Sequence, residues 1–146
     1  MRARIDIVPS KLTHVGPVAS RIRETDRLEC IALGRLPKEA LRIGLRTSLN
    51  PLTILVNGRP EAMLGVMPLS LIRGTGIVWM LATPVMYEQK RALVSWGPEV
   101  LAWIADGMRD LSNIVAVENV RAIRFLRHLG FHVGGQVQDR KSTRLN

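Results

Sequence analysis

The sequence predicts a mixed α/β domain whose central sheet carries helices on both faces, and three observations lead there. Periodicity alternates along the chain, with a strand, two or three helices, three strands, then helix, strand, helix and strand. Asn57-Gly58 stands between two apolar runs, and this pair tolerates the positive φ of a tight hairpin turn. Ile77–Ala82 is apolar throughout, as expected of a strand covered on both faces.

Taken in order, Arg4–Val8 alternates and reads as a first strand. Pro9-Ser10 turns the chain and caps a helix over Leu12–Glu24. Asp26–Leu33 places Leu28, Ile31 and Ala32 on one side and stops at Gly34, a helix C-cap. Pro37 suits the first position of a helix running Lys38–Thr47. Pro51–Val56 and Pro60–Val66 form the two arms of the hairpin. Gly74-Thr75-Gly76 punctuates the chain before Ile77–Ala82. A helical stretch from Met86 to Leu111 should kink or break at Gly97-Pro98, because proline removes a helical hydrogen bond. Asn113–Val117 is a short strand, Asn119–Leu129 a helix ended by Gly130, and Phe131–Val137 extended.

Composition excludes several classes. One cysteine makes no internal disulfide, and no Cys/His spacing suits zinc. The longest apolar stretches fall short of the ~20 residues of a membrane helix. The N-terminus lacks the apolar region of a secretory signal. A net charge of +9, with seventeen arginines and four lysines, permits contact with a polyanion. Yet the arginines are scattered and aromatic residues make up 4%, too few for base-stacking platforms, so nucleic acid is not the favoured partner.

The last eight residues, Asp139 to Asn146, match the in-frame translation of a common sequencing adapter. The expectation is a single domain over residues 1–138, truncated at its C-terminal strand, with residues 139–146 a non-native tail on an assembled environmental read.

The run Asn113–Phe131, NIVAVENVRAIRFLRHLGF, resembles the closing half of the GCN5-related N-acetyltransferase (GNAT) fold. That family sets an Asn, an Ala three residues later and a Gly-Phe after the helix, here Asn119, Ala122 and Gly130-Phe131. The element order is similar over almost the whole chain, which implies a mostly antiparallel central sheet. Four segments, Asp26–Gly34, Val56–Val66, Trp79–Thr83 and Asn119–Phe131, resemble small GNAT-like internal virion and head-assembly proteins of short-tailed bacteriophages. That likeness implies a phage origin, residence in the host cytoplasm or the virion, and phage or host proteins as partners.

The resemblance also implies what an acetyltransferase would need. The family's glycine-rich loop after the fourth strand holds the pyrophosphate of acetyl-CoA on exposed amides. Here the nearest register, Gln89-x-x-Ala92-x-Val94, lacks both glycines, and Gly97 is followed by Pro98. Gln89, Lys90 and Arg91 offer side chains to an anion instead. The family's general acid, a tyrosine seven residues after the Asn, falls here on Leu126, which transfers no proton. The sole tyrosine is Tyr87. Asp26 and Glu29 fall in the segment that borders the substrate cleft in this fold; the plainer expectation is an ordinary cap or ion pair with Arg27 or Arg35. Glu29 and Tyr87 are thus the catalytic candidates. Leu81, Thr83 and Asn119 are the cofactor-binding candidates if acetyl-CoA binds. No metal is expected: His14, His128 and His132 are dispersed. Cys30 reads as a small core residue, and Trp79, Trp96 and Trp103 as core area. Two readings stay open, a phage GNAT-fold protein with a degenerate acetyl-CoA site acting in virion assembly through protein contacts, and an acetyl-CoA-dependent N-acetyltransferase of an amine.

Overall fold

The computed structural model describes residues 3–116, 124, 127–128, 133–137 and 142–145. Strand β1 (Ile5–Pro9) leads into a short 3-10 turn (Leu12–His14) and three helices, α1 (Val15–Ser20), α2 (Glu24–Ala32) and α3 (Pro37–Thr47). Strands β2 (Leu52–Val56), β3 (Arg59–Ser70) and β4 (Thr75–Ala82) follow. Then come helices α4 (Pro84–Glu88) and α5 (Lys90–Ala105) and strands β5 (Asp110–Ala116), β6 (Val133–Val137) and β7 (Ser142–Leu145). Strand order is β1-β2-β3-β4-β5-β7-β6. All the pairs are antiparallel except β4–β5, so the sheet is mostly antiparallel as expected.

Alternation along β2–β4 divides the core. Ile54, Ala62, Leu64, Val66, Val78 and Ala82 turn to α4 and α5, where Met86, Leu93, Val100 and Ile104 meet them. Met63 turns the other way, onto Val15, Val18 and Leu41 of α1 and α3, with Trp79 and Leu81 packed alongside. Helices therefore cover both faces.

Local chemistry explains several boundaries. Asn57 (φ 52°) and Gly58 (φ 81°) make the tight turn between β2 and β3. Gly34 (φ 78°) closes α2: its amide donates to the Ile31 carbonyl at 2.8 Å and that of Arg35 to Cys30 at 3.0 Å, a Schellman pair. Pro37 opens α3.

Elsewhere the structure corrects the sequence reading. The expected helix over Leu12–Glu24 is split, because residues 21–23 leave the helical path for tertiary bonds: the Arg23 amide donates to the Ala82 carbonyl at 2.9 Å. Ser10 caps nothing; its hydroxyl bonds Thr53 at 2.8 Å, while His14 Nδ1 accepts the Lys11 amide at 3.1 Å. The stretch from Met86 breaks at Gln89, not at Pro98. Pro98 and Val94, whose carbonyl loses its helical amide to the proline, lie on the exposed side of α5, where a lost helical bond costs less than it would facing the core. The helix then ends at Ala105 because Asp106 (φ 45°) and Gly107 (φ 79°) are both left-handed.

Trp96 is half-buried, but Trp103 is 66% exposed. The inward stripe of α5 runs 93, 97, 100, 104, which leaves position 103 on its outer flank. Strand β4 has cover on both faces, yet only Gly76, Val78 and Ala82 are fully buried. Within the expected Asn119–Leu129 helix, Arg124, Arg127 and His128 are helical; Asn119, Ala122, Leu126, Gly130, Phe131 and His132 lie outside the described residues.

Candidate functional site

The site grows from how β4 meets β5. The two strands run parallel but pair only at Thr75–Asp110, Gly76–Leu111 and Ile77–Ser112. Past that point β5 turns its ladder to β7, from Asn113–Leu145 to Ala116–Ser142. Among the described residues the far half of β4 is thus left without a strand on that side, a wedge that opens toward Ala82. Asn113 stands at its apex, its Nδ2 donating to the Val78 carbonyl at 2.7 Å.

Which backbone groups face the wedge follows from the antiparallel register with β3. The Thr83 amide donates to the Glu61 carbonyl at 2.9 Å, so Thr83 and, two residues back, Leu81 direct their main chain to β3. Val78, Met80 and Ala82 face the other way, into the wedge. At its open end both groups of Ala82 are bonded from the start of α2: Asp26 Oδ2 accepts the amide at 3.1 Å, and the carbonyl accepts from Arg23. The Met80 amide and carbonyl are directed to the opening and meet no strand among the described residues.

Side chains from both helical layers converge here. Arg23 reaches across from the α2 side and sets its guanidinium over the Tyr87 ring of α4, 3.7 Å from the centroid. Arg23 Nη1 is buried without a hydrogen-bond partner among the described residues. Asp26 is only 4% exposed. Burial pushes its carboxyl up to about 6, against the Ala82 bond and the Arg23 charge, which favour ionisation. Burial, with Asp26 nearby, likewise pushes the Tyr87 hydroxyl up to about 12, and Glu29 adds to that field. Asp26, Glu29, Arg23 and Tyr87 therefore form one electrostatic cluster around Ala82.

The expected ion pair of Asp26 with Arg27 or Arg35 does not form. Arg27 pairs with Glu24 instead (Nε to Oε2, 2.9 Å), since i,i+3 neighbours share the exposed face while Asp26 points inward. Cys30 is buried, in keeping with a core role. Leu81 packs under α1 and α3, and Thr83 is buried against Glu61. Ser48 accepts the Trp79 indole N–H at 2.7 Å. Among the described residues no three His, Cys, Asp or Glu gather to hold a metal, and no helix is long and apolar enough to cross a membrane.

Glu61, Arg21, Arg23 and Asn113 are the residues that sequence reasoning missed. Glu61, 2% exposed, pairs with Arg21 and accepts the Thr83 hydroxyl at 2.7 Å, while Arg21 Nη2 also donates to the Pro60 carbonyl at 2.8 Å. A carboxylate at an inward position of an otherwise apolar strand, and an asparagine at the head of Ile114–Ala116, were the available signals.

No protein-family profile matches the chain, and no curated protein sequence matches it. Solved structures do. The GNAT domain of S. lividans PAT superposes with a TM-score of 0.74 at 16% identity, over 98% of this chain and 88% of that one. A ribosomal-protein-S5-alanine acetyltransferase from Vibrio fischeri gives 0.68 at 10% identity, over 99% and 94%. A chimera of the Vibrio cholerae spermidine N-acetyltransferase SpeG with hSSAT gives 0.68 at 11%, over 97% and 93%. At these identities the likeness shows the fold, that of the GNAT acetyltransferases, and the mixed, mostly antiparallel sheet with its helices matches it.

Proposed function

We propose that this chain is an acetyl-CoA-dependent N-acetyltransferase acting on an amine. The observation that carries the reading is the wedge: one edge of β4 past Ile77, with the Met80 amide and carbonyl facing an opening that β5 does not fill. A ligand with amide groups along an extended arm finds there a donor and an acceptor at strand spacing, as an added strand would. Acetyl-CoA has such an arm, and bound there it would supply an activated acetyl thioester.

The residues present fit that ligand at the wedge and, by a different route, at its charged end. The loop after β4 has no glycine, but the Leu93 amide is the one that bonds the Gln89 carbonyl (3.1 Å), so the amides of Lys90, Arg91 and Ala92 precede it at the start of a 16-residue helix. Free amides at a helix N-terminus suit a pyrophosphate. Arg91 is exposed beside them. Leu81 and Thr83 would then support the strand from the β3 side, with Met80 meeting the ligand. The structural neighbours include acetyltransferases of acceptors as different as a ribosomal protein and spermidine, so the fold leaves the amine open.

A second reading, a phage GNAT-fold protein serving virion assembly through protein contacts, draws on the glycine-free loop and on the exposed apolar side chains Leu69, at the end of β3, and Leu71 and Ile72, in the turn to β4. The wedge favours the enzyme. Calorimetry with acetyl-CoA, and a thermal shift beside it, tests the choice. Ligand at a hundred times Kd should add about 2.7 kcal/mol, raising Tm by about 5–10 °C. Absence of both heat and shift at millimolar acetyl-CoA overturns the enzyme reading, and acetyl transfer to members of a primary-amine panel would establish it.

A further inference from the structure

Two residues meet at Ala82, Arg23 and Asp26, and they are not equivalent. Arg23 serves the carbonyl through its main chain and covers Tyr87 with its side chain. Asp26 spends one oxygen, Oδ2, on the amide; among the described residues Oδ1 accepts no hydrogen bond. A carboxylate held by a single main-chain amide is fixed in place yet keeps half its lone pairs for another donor. Its position is also costly, because a buried carboxylate with one amide bond and, among the described residues, no salt bridge is poorly compensated. Asn in its place could accept the same amide bond without the charge, so the bond alone does not explain an acid here. The acid stands where the wedge opens, on the side from which α2 overhangs β4.

We propose that Asp26 is the proton acceptor for the amine, taking an N–H proton of the incoming ammonium on Oδ1 while Oδ2 stays on the Ala82 amide. This rests on the acetyltransferase reading and deepens it. The step is a proton transfer: the ammonium becomes a neutral amine with a free lone pair, the carboxylate becomes the neutral acid, and Asp26 then returns the proton to water. The surroundings suit such an exchange. Arg23 favours the carboxylate, whereas burial and the negative charge of Glu29 favour the acid, which places the group between the two states near neutral pH. Tyr87, Cys30 and Glu29 are the other titratable groups whose charges couple with it. The tyrosine hydroxyl and the thiol are both pushed above their ordinary ranges, so neither takes the proton near neutrality. The neighbouring buried acid, Glu61, is committed to Arg21 and the Thr83 hydroxyl. Asp26 is the described acid at this end of β4 that combines a fixed position with an open oxygen.

The test uses the whole chain, with Asp26→Asn and Asp26→Glu beside the wild type. Carbon-13 NMR of labelled aspartate should show in the ligand-free wild type a carboxyl titrating near pH 6, a signal absent from Asp26→Asn. Acetyl transfer to the best amine of the panel should rise with pH through that same midpoint. Asp26→Asn should lose about 10²–10⁴-fold in kcat with acetyl-CoA affinity unchanged by calorimetry, and Asp26→Glu should recover part of the rate with a displaced midpoint. If Asn and wild type share one rate and one pH profile, Asp26 is not the acceptor and the acetyltransferase reading stands. If the wild type binds no acetyl-CoA, or transfers to no amine, both fall together. If the carboxyl signal that Asp26→Asn removes titrates near 4 in the folded protein, that too overturns the assignment.

Discussion

Glu61 and Thr83 are joined twice, by the Thr83 amide on the Glu61 carbonyl at 2.9 Å and by the Thr83 hydroxyl on Glu61 Oε1 at 2.7 Å. With Arg21 on the same carboxylate, this link fastens the end of α1 to β3 and β4 just before the chain enters α4. Glu61→Ala should cost about 3–5 kcal/mol, because it strands a partly buried guanidinium and a buried hydroxyl. Thr83→Val should cost only about 1 kcal/mol, since Arg21 still holds the acid. Urea midpoints of the two variants check the order; a Glu61→Ala loss below that of Thr83→Val would show that Arg21 reaches water freely.

Gly44 lies under Trp79. A Cβ there would stand 2.6 Å from the indole Cζ2, and the indole is pinned by its N–H on Ser48. Gly44→Ala gains about 1 kcal/mol of helix propensity but forces the ring, at about 1–3 kcal/mol. The expected outcome is a lower Tm with altered tryptophan emission. An unchanged Tm would mean that Trp79 swings aside.

His14 Nδ1 accepts the Lys11 amide at 3.1 Å and lies 2.8 Å from the Thr53 hydroxyl, surroundings that suit the neutral ring. Burial first, then the Lys11 charge, lowers its pKa below 6.5. The contribution to stability is therefore full above pH 6.5 and is lost as pH falls through the lowered folded value. His14→Gln should remove that part of the pH dependence, as unfolding free energies measured from pH 4 to 8 will show.

Asp26 has the opposite sign. Its folded value near 6 lies above the ordinary 3.8, so its contribution is full below about pH 4 and falls as pH rises to about 6. Asp26→Asn should raise stability above pH 6 by about 1–3 kcal/mol. A destabilised Asn variant at pH 8 would show that the carboxylate is a structural asset after all.

Much of this fold could be read from local chemistry. Asn57-Gly58, Gly34 and Pro37 each fix a boundary through a backbone requirement that only neighbouring residues set. What failed depends on distant partners. Nothing in the residues 21–23 says that the Arg23 amide will bond Ala82, 59 positions on, and break the helix. The sequence around Asp26 looks like the polar first turn of a surface helix, and only the end of β4 turns it into a buried acid. Pro98 misled for a related reason: a proline on the solvent side of a helix costs less than one facing the core. The wedge itself is a difference between the pairing partners of β5, which no single segment encodes.

The chain's one cysteine and the barest of its described hydrophobic residues lie at opposite chemical extremes. Cys30 is buried, with its thiol pushed up to about 11, whereas Ile72 is 98% exposed at the tip between β3 and β4. The tip precedes Thr75, the start of β4, and the wedge lies toward that strand's far end, roughly 25 Å along at strand rise. A maleimide dye therefore leaves Cys30 dark in the native protein, and Ile72→Cys creates a single bright handle. From that handle the molecule can be tethered to a surface or watched by energy transfer, with the wedge left facing free solution.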